Sequence, residues 1–163
     1  MRYKVCDVGV GTAVGTDSTR TRTLMGTVNY LSPELLRAYR ENKFTITYNP
    51  YKSDVYSLGL VLLYFCSLKK PLAKERGEQE EKYLLALIKE VKREYSGING
   101  LSKTLKLMLK YNDAQRPDFE ELHQKIQENG WLKLKYDGFR ATGLHAFMAT
   151  SVPVEGETTI QSM

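Results

Sequence analysis

Cysteine and histidine are scarce in this chain, with two of each in 163 residues. The cysteines, Cys6 and Cys66, stand sixty residues apart inside apolar segments, and only His123 and His145 are available as imidazole ligands. A disulfide framework and a metal site are both poor fits to that distribution, which suits buried thiols in a reducing compartment better. Long apolar runs are missing too. The longest, Leu58 to Cys66, is about half the ~20 residues that a membrane span requires, and the N-terminus lacks a charged-then-apolar signal pattern. The net charge is +5, yet no block of five or six basic residues occurs, because lysine and arginine alternate with aspartate and glutamate along most of the chain. Such alternation describes solvated helix faces, not a nucleic-acid surface. We therefore expect a soluble, cytoplasmic protein with neither nucleic acid nor membrane as a partner.

What is present is an ordinary globular balance, 42% apolar and 26% charged, long enough for one domain with its own core. Residues 2 to 6 alternate weakly and suggest one short strand. Gly9 to Thr27, rich in glycine, threonine and serine, has no helical period and reads as a long loop, a kind of segment that is uncommon unless functional. Ser32-Pro33-Glu34 offers a cap residue, a proline at the first helical position and an acidic first turn, predicting a helix to about Tyr39. Glu41 to Asn49 reads as a polar insertion. A helix from Lys52 to Ser67 is apolar nearly all round, which requires other helices on every side of it. Leu84, Leu87, Ile88 and Val91 give the i, i+3, i+4, i+7 stripe of a helix within Glu78 to Val91, and Leu101, Leu105, Met108 and Leu109 repeat it. Asp118 and Glu121 form a capping box for a last helix with a buried stripe of Phe119, Leu122 and Ile126, ending at Asn129-Gly130. Past Trp131 to Tyr136 no period remains, and residues after about Gly138 are expected to be mobile.

Several short motifs then fall in an order that resembles the second half of a protein kinase domain. Lys4-Val5-Cys6-Asp7-Val8-Gly9 is similar to the strand and Asp-Phe-Gly motif that opens the activation segment, with valine for phenylalanine. Ser32-Pro33-Glu34 resembles the Ala-Pro-Glu motif that closes it. Lys52-Ser53-Asp54-Val55-Tyr56-Ser57-Leu58-Gly59 resembles the start of the central helix, with tyrosine for tryptophan, and is the most specific stretch. The resemblance implies that Asp7 holds the magnesium ions bridging ATP phosphates, a task suited to hard carboxylate oxygen. It implies that Gly26 and Thr27 form the substrate-facing loop, in the form typical of Ser/Thr kinases. It also implies a structural ion pair between Glu34 and Arg116, and a structural role for Asp54 as the anchor of the catalytic loop. Thr21 and Thr23, interleaved with Arg20 and Arg22, become candidate regulatory phosphosites whose phosphorylation would order the segment against nearby arginines.

The interval from Glu34 to Asp54 is longer than the family commonly shows, and Arg40 to Tyr48 reads as the insertion. The glycine-rich loop, the strand lysine and the His-Arg-Asp loop of a working kinase belong before Asp7, where this sequence holds six residues. Gly9, Gly11 and Gly15 do not restore a phosphate loop, since Val14 stands where the third glycine is needed. We expect a mainly α fold, the C-terminal lobe of a kinase with one or two short strands and the activation segment, without the N-terminal lobe. Residues 1–130 would be a partial kinase domain, with the activation segment at 7–34 and the helical lobe at 32–128, and 131–163 a largely mobile extension. The expected function is ATP- and Mg-dependent phosphorylation of protein Ser/Thr by a complete chain, this piece alone being inactive. The alternative is a noncatalytic module that binds a kinase or regulatory partner.

Overall fold

The central helix begins two residues before its apolar period suggests. In the computed structural model, which describes residues 20–24, 26–70 and 78–131, helix α2 runs Pro50–Ser67. Asn49 caps it by accepting from the Lys52 amide at 3.2 Å, and Pro50, having no N–H to leave unsatisfied, fits the first position. Before it lie β1 (Arg20–Thr23), a 3-10 turn at Val28–Tyr30, α1 (Pro33–Arg40) and β2 (Thr45–Tyr48). After it come α3 (Glu78–Glu94), α4 (Leu101–Met108), a 3-10 turn at Asp113–Gln115 and α5 (Phe119–Glu128). The described part of the chain is mainly helical.

The stripes legible in the sequence build the core. Leu84, Leu87, Ile88 and Val91 of α3 meet Leu101, Leu105 and Met108 of α4, with Leu109 just beyond it, and Val55, Tyr56, Leu60, Leu63 and Cys66 of α2, all buried in one cluster. Gly59 sets how closely α2 approaches α4: a Cβ there would lie 2.9 Å from the Met108 Cβ. Burial, with Glu94 nearby, pushes the Cys66 thiol up to about 11, so it stays protonated and unreactive at neutral pH. The capping box of α5 forms as a reciprocal pair, Asp118 accepting from the Glu121 amide at 2.9 Å and Glu121 from the Asp118 amide at 3.1 Å.

Two expectations about burial are corrected. Helix α2 is not enclosed: α3, α4 and α5 pack to one side of it, leaving Leu58 at 42%, Phe65 at 56% and, just past its end, Leu68 at 79% exposure. Phe119 is likewise exposed at the first position of α5, where it turns away from the core, while Leu122 is buried and Ile126 partly so.

The stretch read as loop and insertion is also corrected. Arg20–Thr23 and Thr45–Tyr48 pair as a two-stranded antiparallel ribbon with Arg20 opposite Tyr48, Thr21 opposite Thr47, Arg22 opposite Ile46 and Thr23 opposite Thr45. Each strand is too short and too polar to announce itself. Ile46 and Tyr48, with Leu24 and Val28, cover a second buried cluster of Leu31, Leu35 and Leu36, and that packing holds the ribbon in place. The expected strand at residues 2 to 6, most of the Gly9 to Thr27 loop, and the tail from residue 132 onward lie outside the described residues.

Candidate functional site

Gly26 and Thr27 stand exposed at the turn that leads from the ribbon into α1. Gly26 has φ 129°, a backbone region that favours glycine, and a Cβ there would come within 2.9 Å of the Leu31 side chain. Thr27 starts the 3-10 turn through its carbonyl, which accepts from the Tyr30 amide at 2.8 Å; its hydroxyl makes no capping bond and faces solvent.

Three fastenings hold the following residues onto α2 and the rest of the helical body. The Ser57 hydroxyl donates to the Tyr30 carbonyl at 2.7 Å. Ser32 and Ser53, both buried, share a hydroxyl–hydroxyl bond of 2.9 Å. Ser32 was expected to cap α1 with its side chain; it sits at the cap position, but its hydroxyl makes no capping bond and turns to Ser53 instead.

The third fastening is Arg116. Its Nη1 and Nη2 donate to the two carboxylate oxygens of Glu34 at 2.9 and 3.1 Å, a bidentate pair across 82 positions of sequence. The same guanidinium donates to the carbonyls of Lys52 at 3.0 Å, Lys110 at 3.0 Å and Tyr111 at 3.4 Å. Its central carbon, Cζ, lies 4.8 Å from the centre of the buried Tyr56 ring, adding a cation–π contact in a desolvated setting. The arginine side chain is fully buried and the glutamate partly so, and five groups from three parts of the chain (α1, α2 and the stretch after α4) satisfy one interior charge. Lysine, with a single ammonium, has no fork to do this.

Asp54 behaves otherwise. It lies in the second turn of α2, past the reach of the helix dipole, and makes no hydrogen bond or ion pair among the described residues. The residue is exposed. Although solvent reaches it, the surrounding protein partly desolvates its carboxyl and raises its pKa above the usual aspartate value. Thr21 and Thr23 lie on the ribbon, both exposed, and Thr21 Oγ1 is 2.6 Å from Thr47 Oγ1. Asp7 lies outside the described residues. Among the described residues no three His, Cys, Asp or Glu side chains cluster as a metal site.

Sequence reasoning missed Ser53, Ser57 and the carbonyls of Lys52, Lys110 and Tyr111. Only Ser53 and Ser57 left a trace, as two small polar residues one turn apart in a mostly apolar helix.

A mainly helical domain with this arrangement is compatible with the protein kinase class, and the chain belongs to that family. The family model for the protein kinase domain matches residues 1–126. Among curated relatives, the wall-associated receptor kinase-like 3 of Arabidopsis thaliana is 29% identical over 140 residues, covering 77% of this chain and 18% of its own length. The serine/threonine-protein kinase Nek2 of Mus musculus is 31% identical over 120 residues, covering 73% of this chain and 25% of its own. The chain thus spans a quarter or less of the length of these relatives.

Proposed function

We propose that this chain is the substrate-facing C-terminal lobe of a protein Ser/Thr kinase, and that within a complete chain it serves the transfer of the ATP γ-phosphoryl group to Ser or Thr of proteins. The observation that carries the reading is the Glu34–Arg116 pair, which fixes the closing end of the segment on the helical body while Gly26 and Thr27 stay exposed beside it. In that role the Thr27 hydroxyl orients the incoming peptide hydroxyl and the catalytic machinery supplied by the rest of the kinase. ATP and magnesium supply the phosphoryl group and the cation that neutralises its charge; Asp7 is the residue of this chain assigned to the metal. Names of relatives such as Nek2 support the Ser/Thr assignment. No helix among the described residues is long and apolar enough to cross a membrane.

The exposed Leu58, Phe65 and Leu68 fit a lobe that other parts of a kinase cover. They equally fit the second reading, a noncatalytic module that binds a kinase or regulatory protein. The two separate on one experiment: the coding sequence upstream of Met1 is read, the extended protein expressed, and phosphate transfer from labelled ATP to a generic protein substrate measured. Transfer that falls at least about tenfold in Thr27→Ala supports the kinase reading. A glycine-rich loop and His-Arg-Asp loop missing upstream, with nucleotide-independent capture of a partner, supports the module. The 163-residue chain alone is expected to show no autophosphorylation, and detectable turnover by it overturns the assignment of catalysis to the rest of the kinase.

A further inference from the structure

Helices α3 and α4 do not close completely on each other. Between the N-terminal half of α3 and the end of α4 lies a cleft of about 150 Å³, floored by the buried Leu84, Ile88 and Leu109. Glu81 stands on its α3 rim, while Lys106 and Lys110, four positions apart, stand on its α4 rim. All three are exposed, and among the described residues none of them is in an ion pair. The α4 rim is built in advance, because Arg116 holds the carbonyls of Lys110 at 3.0 Å and Tyr111 at 3.4 Å. Small-molecule and cofactor sites run to roughly 300–1,000 Å³, whereas a space of about 150 Å³ suits one benzene-sized group. The cleft therefore fits a single apolar side chain of a peptide, with acidic neighbours reaching the two lysines.

We propose that the occupant is the chain's own segment Pro153-Val154-Glu155-Gly156-Glu157, with Val154 in the cleft and Glu155 and Glu157 paired with Lys106 and Lys110. This docking needs no phosphoryl transfer and is independent of the kinase reading. Charge selects the segment. Of the stretches outside the described residues, 1–19 balances its basic and acidic residues, 71–77 and 132–140 are net basic, and 141–163 holds Glu155 and Glu157 with no lysine or arginine. The spacing also matches, since four helical residues rise about 6 Å and two residues of extended chain span about 6–7 Å. Pro153 fixes its own φ and favours extended backbone at Val152, which lowers the ordering cost of docking. The tether starts beside the cleft's own helix. Trp131 donates from its amide to the Ile126 carbonyl at 3.0 Å, fills the space where a Cβ on Gly100 would collide with it, and carries the Lys103 ammonium 5.5 Å from its ring centre. The extension thus leaves the body at the N-terminal end of α4, about 12 Å of helix from the rim lysines. Trp131 and Val154 are far enough apart in sequence to span that distance several times over, and such a tether gives an effective concentration of about millimolar, which keeps a single-anchor contact populated within one chain.

The test is zero-length carbodiimide cross-linking of the 163-residue chain at low micromolar concentration, as an equal mixture of isotopically light and heavy protein, with linked peptides read by mass spectrometry. Amide links from Lys106 and Lys110 to Glu155 and Glu157 within one chain are expected to exceed those from Lys103, which is exposed on the same helix nearer Trp131 but does not line the cleft. Val154→Ser removes the anchor and keeps both carboxylates, and should lower the Lys106 and Lys110 links roughly tenfold while leaving those from Lys103 unchanged. Links that join only light to heavy chains identify a second copy as the occupant and overturn the proposal. Links that are absent, spread evenly over Lys103, Lys106 and Lys110, or indifferent to Val154→Ser overturn it as well. The readout involves no phosphoryl transfer, so its failure leaves the kinase reading standing, and a catalytically silent extended protein leaves the docking standing.

Discussion

The residues before Gly26 and those after it are held by different physics. From Tyr30 to Glu34 the chain is tied down by interior groups: a buried serine pair, a hydroxyl on a carbonyl, and an arginine whose charge has no exit to water. From Arg20 to Leu24 its polar ties are a four-residue ladder and one exposed hydroxyl pair, with Leu24, Ile46 and Tyr48 packing on the Leu31 cluster. A buried polar group that loses its partner keeps its full desolvation penalty, whereas an exposed one exchanges its partner for water at little loss. The polar ties of the downstream half are thus costlier to break than those of the upstream half, and the exposed Gly26-Thr27 turn sits at their boundary.

The comparison breaks most severely at Arg116. Arg116→Ala strands the Glu34 carboxylate and leaves the Lys52, Lys110 and Tyr111 carbonyls without their donor, for a loss of about 3–5 kcal/mol. In a domain of this size that lowers the melting temperature by roughly 10–20 °C, or prevents folding, as read by circular dichroism. Arg116→Lys keeps the charge but not the fork and should recover only a minor part. An unchanged melting temperature in Arg116→Ala would show that the joint is not held by this residue.

The serine pair sharpens the same side of the comparison at smaller scale. Ser53→Ala leaves the Ser32 hydroxyl buried without a partner and should lose about 1–3 kcal/mol in urea denaturation. Removing both hydroxyls should be less harmful than the sum of the single losses, because neither is then left orphaned. Strict additivity would mean that the two oxygens do not interact. On the upstream side, Thr47→Val should change global stability by no more than about 0.5 kcal/mol, since its hydroxyl is exposed. A loss comparable to that of Ser53→Ala would erase the distinction between the buried and the exposed hydroxyl pairs.

How much of this was legible depended on the range of the interaction. The stripes of α3 and α4 and the capping box of α5 are local patterns, and each residue in them is read against neighbours a turn away. The ribbon was not legible because Thr-Ile-Thr-Tyr and Arg-Thr-Arg-Thr are indistinguishable from polar loop until the Leu31, Leu35 and Leu36 cluster beneath them is known. The one-sided burial of α2 was hidden for the opposite reason: an apolar residue such as Phe65 looks the same in sequence whether or not a neighbour covers it. Of the candidate site, the Glu34 and Arg116 positions came from ordered motifs, but no pattern announced that backbone carbonyls would complete the arginine's shell.

Asp54 gives the smallest effect and the one whose sign is most informative. Partial desolvation raises its pKa in the folded chain above the ordinary 3.8, so the folded state holds its proton more tightly than the unfolded state does. Stability contributed by this group therefore falls as pH rises from the ordinary aspartate value through the raised one, and above both the ionised carboxylate is a small standing penalty. Asp54→Asn removes that penalty. In the 163-residue chain it should leave the melting temperature at neutral pH unchanged or slightly higher, and flatten the loss of stability on going from acid to neutral pH. If Asp54 serves to anchor a catalytic loop in an extended kinase, the same substitution there removes an acceptor from backbone amides and must lower stability or activity. Opposite signs for one substitution in the two contexts would tie Asp54 to a partner beyond the described residues. A loss of stability in the 163-residue chain itself would mean that the carboxylate already has a favourable environment, contrary to the raised pKa.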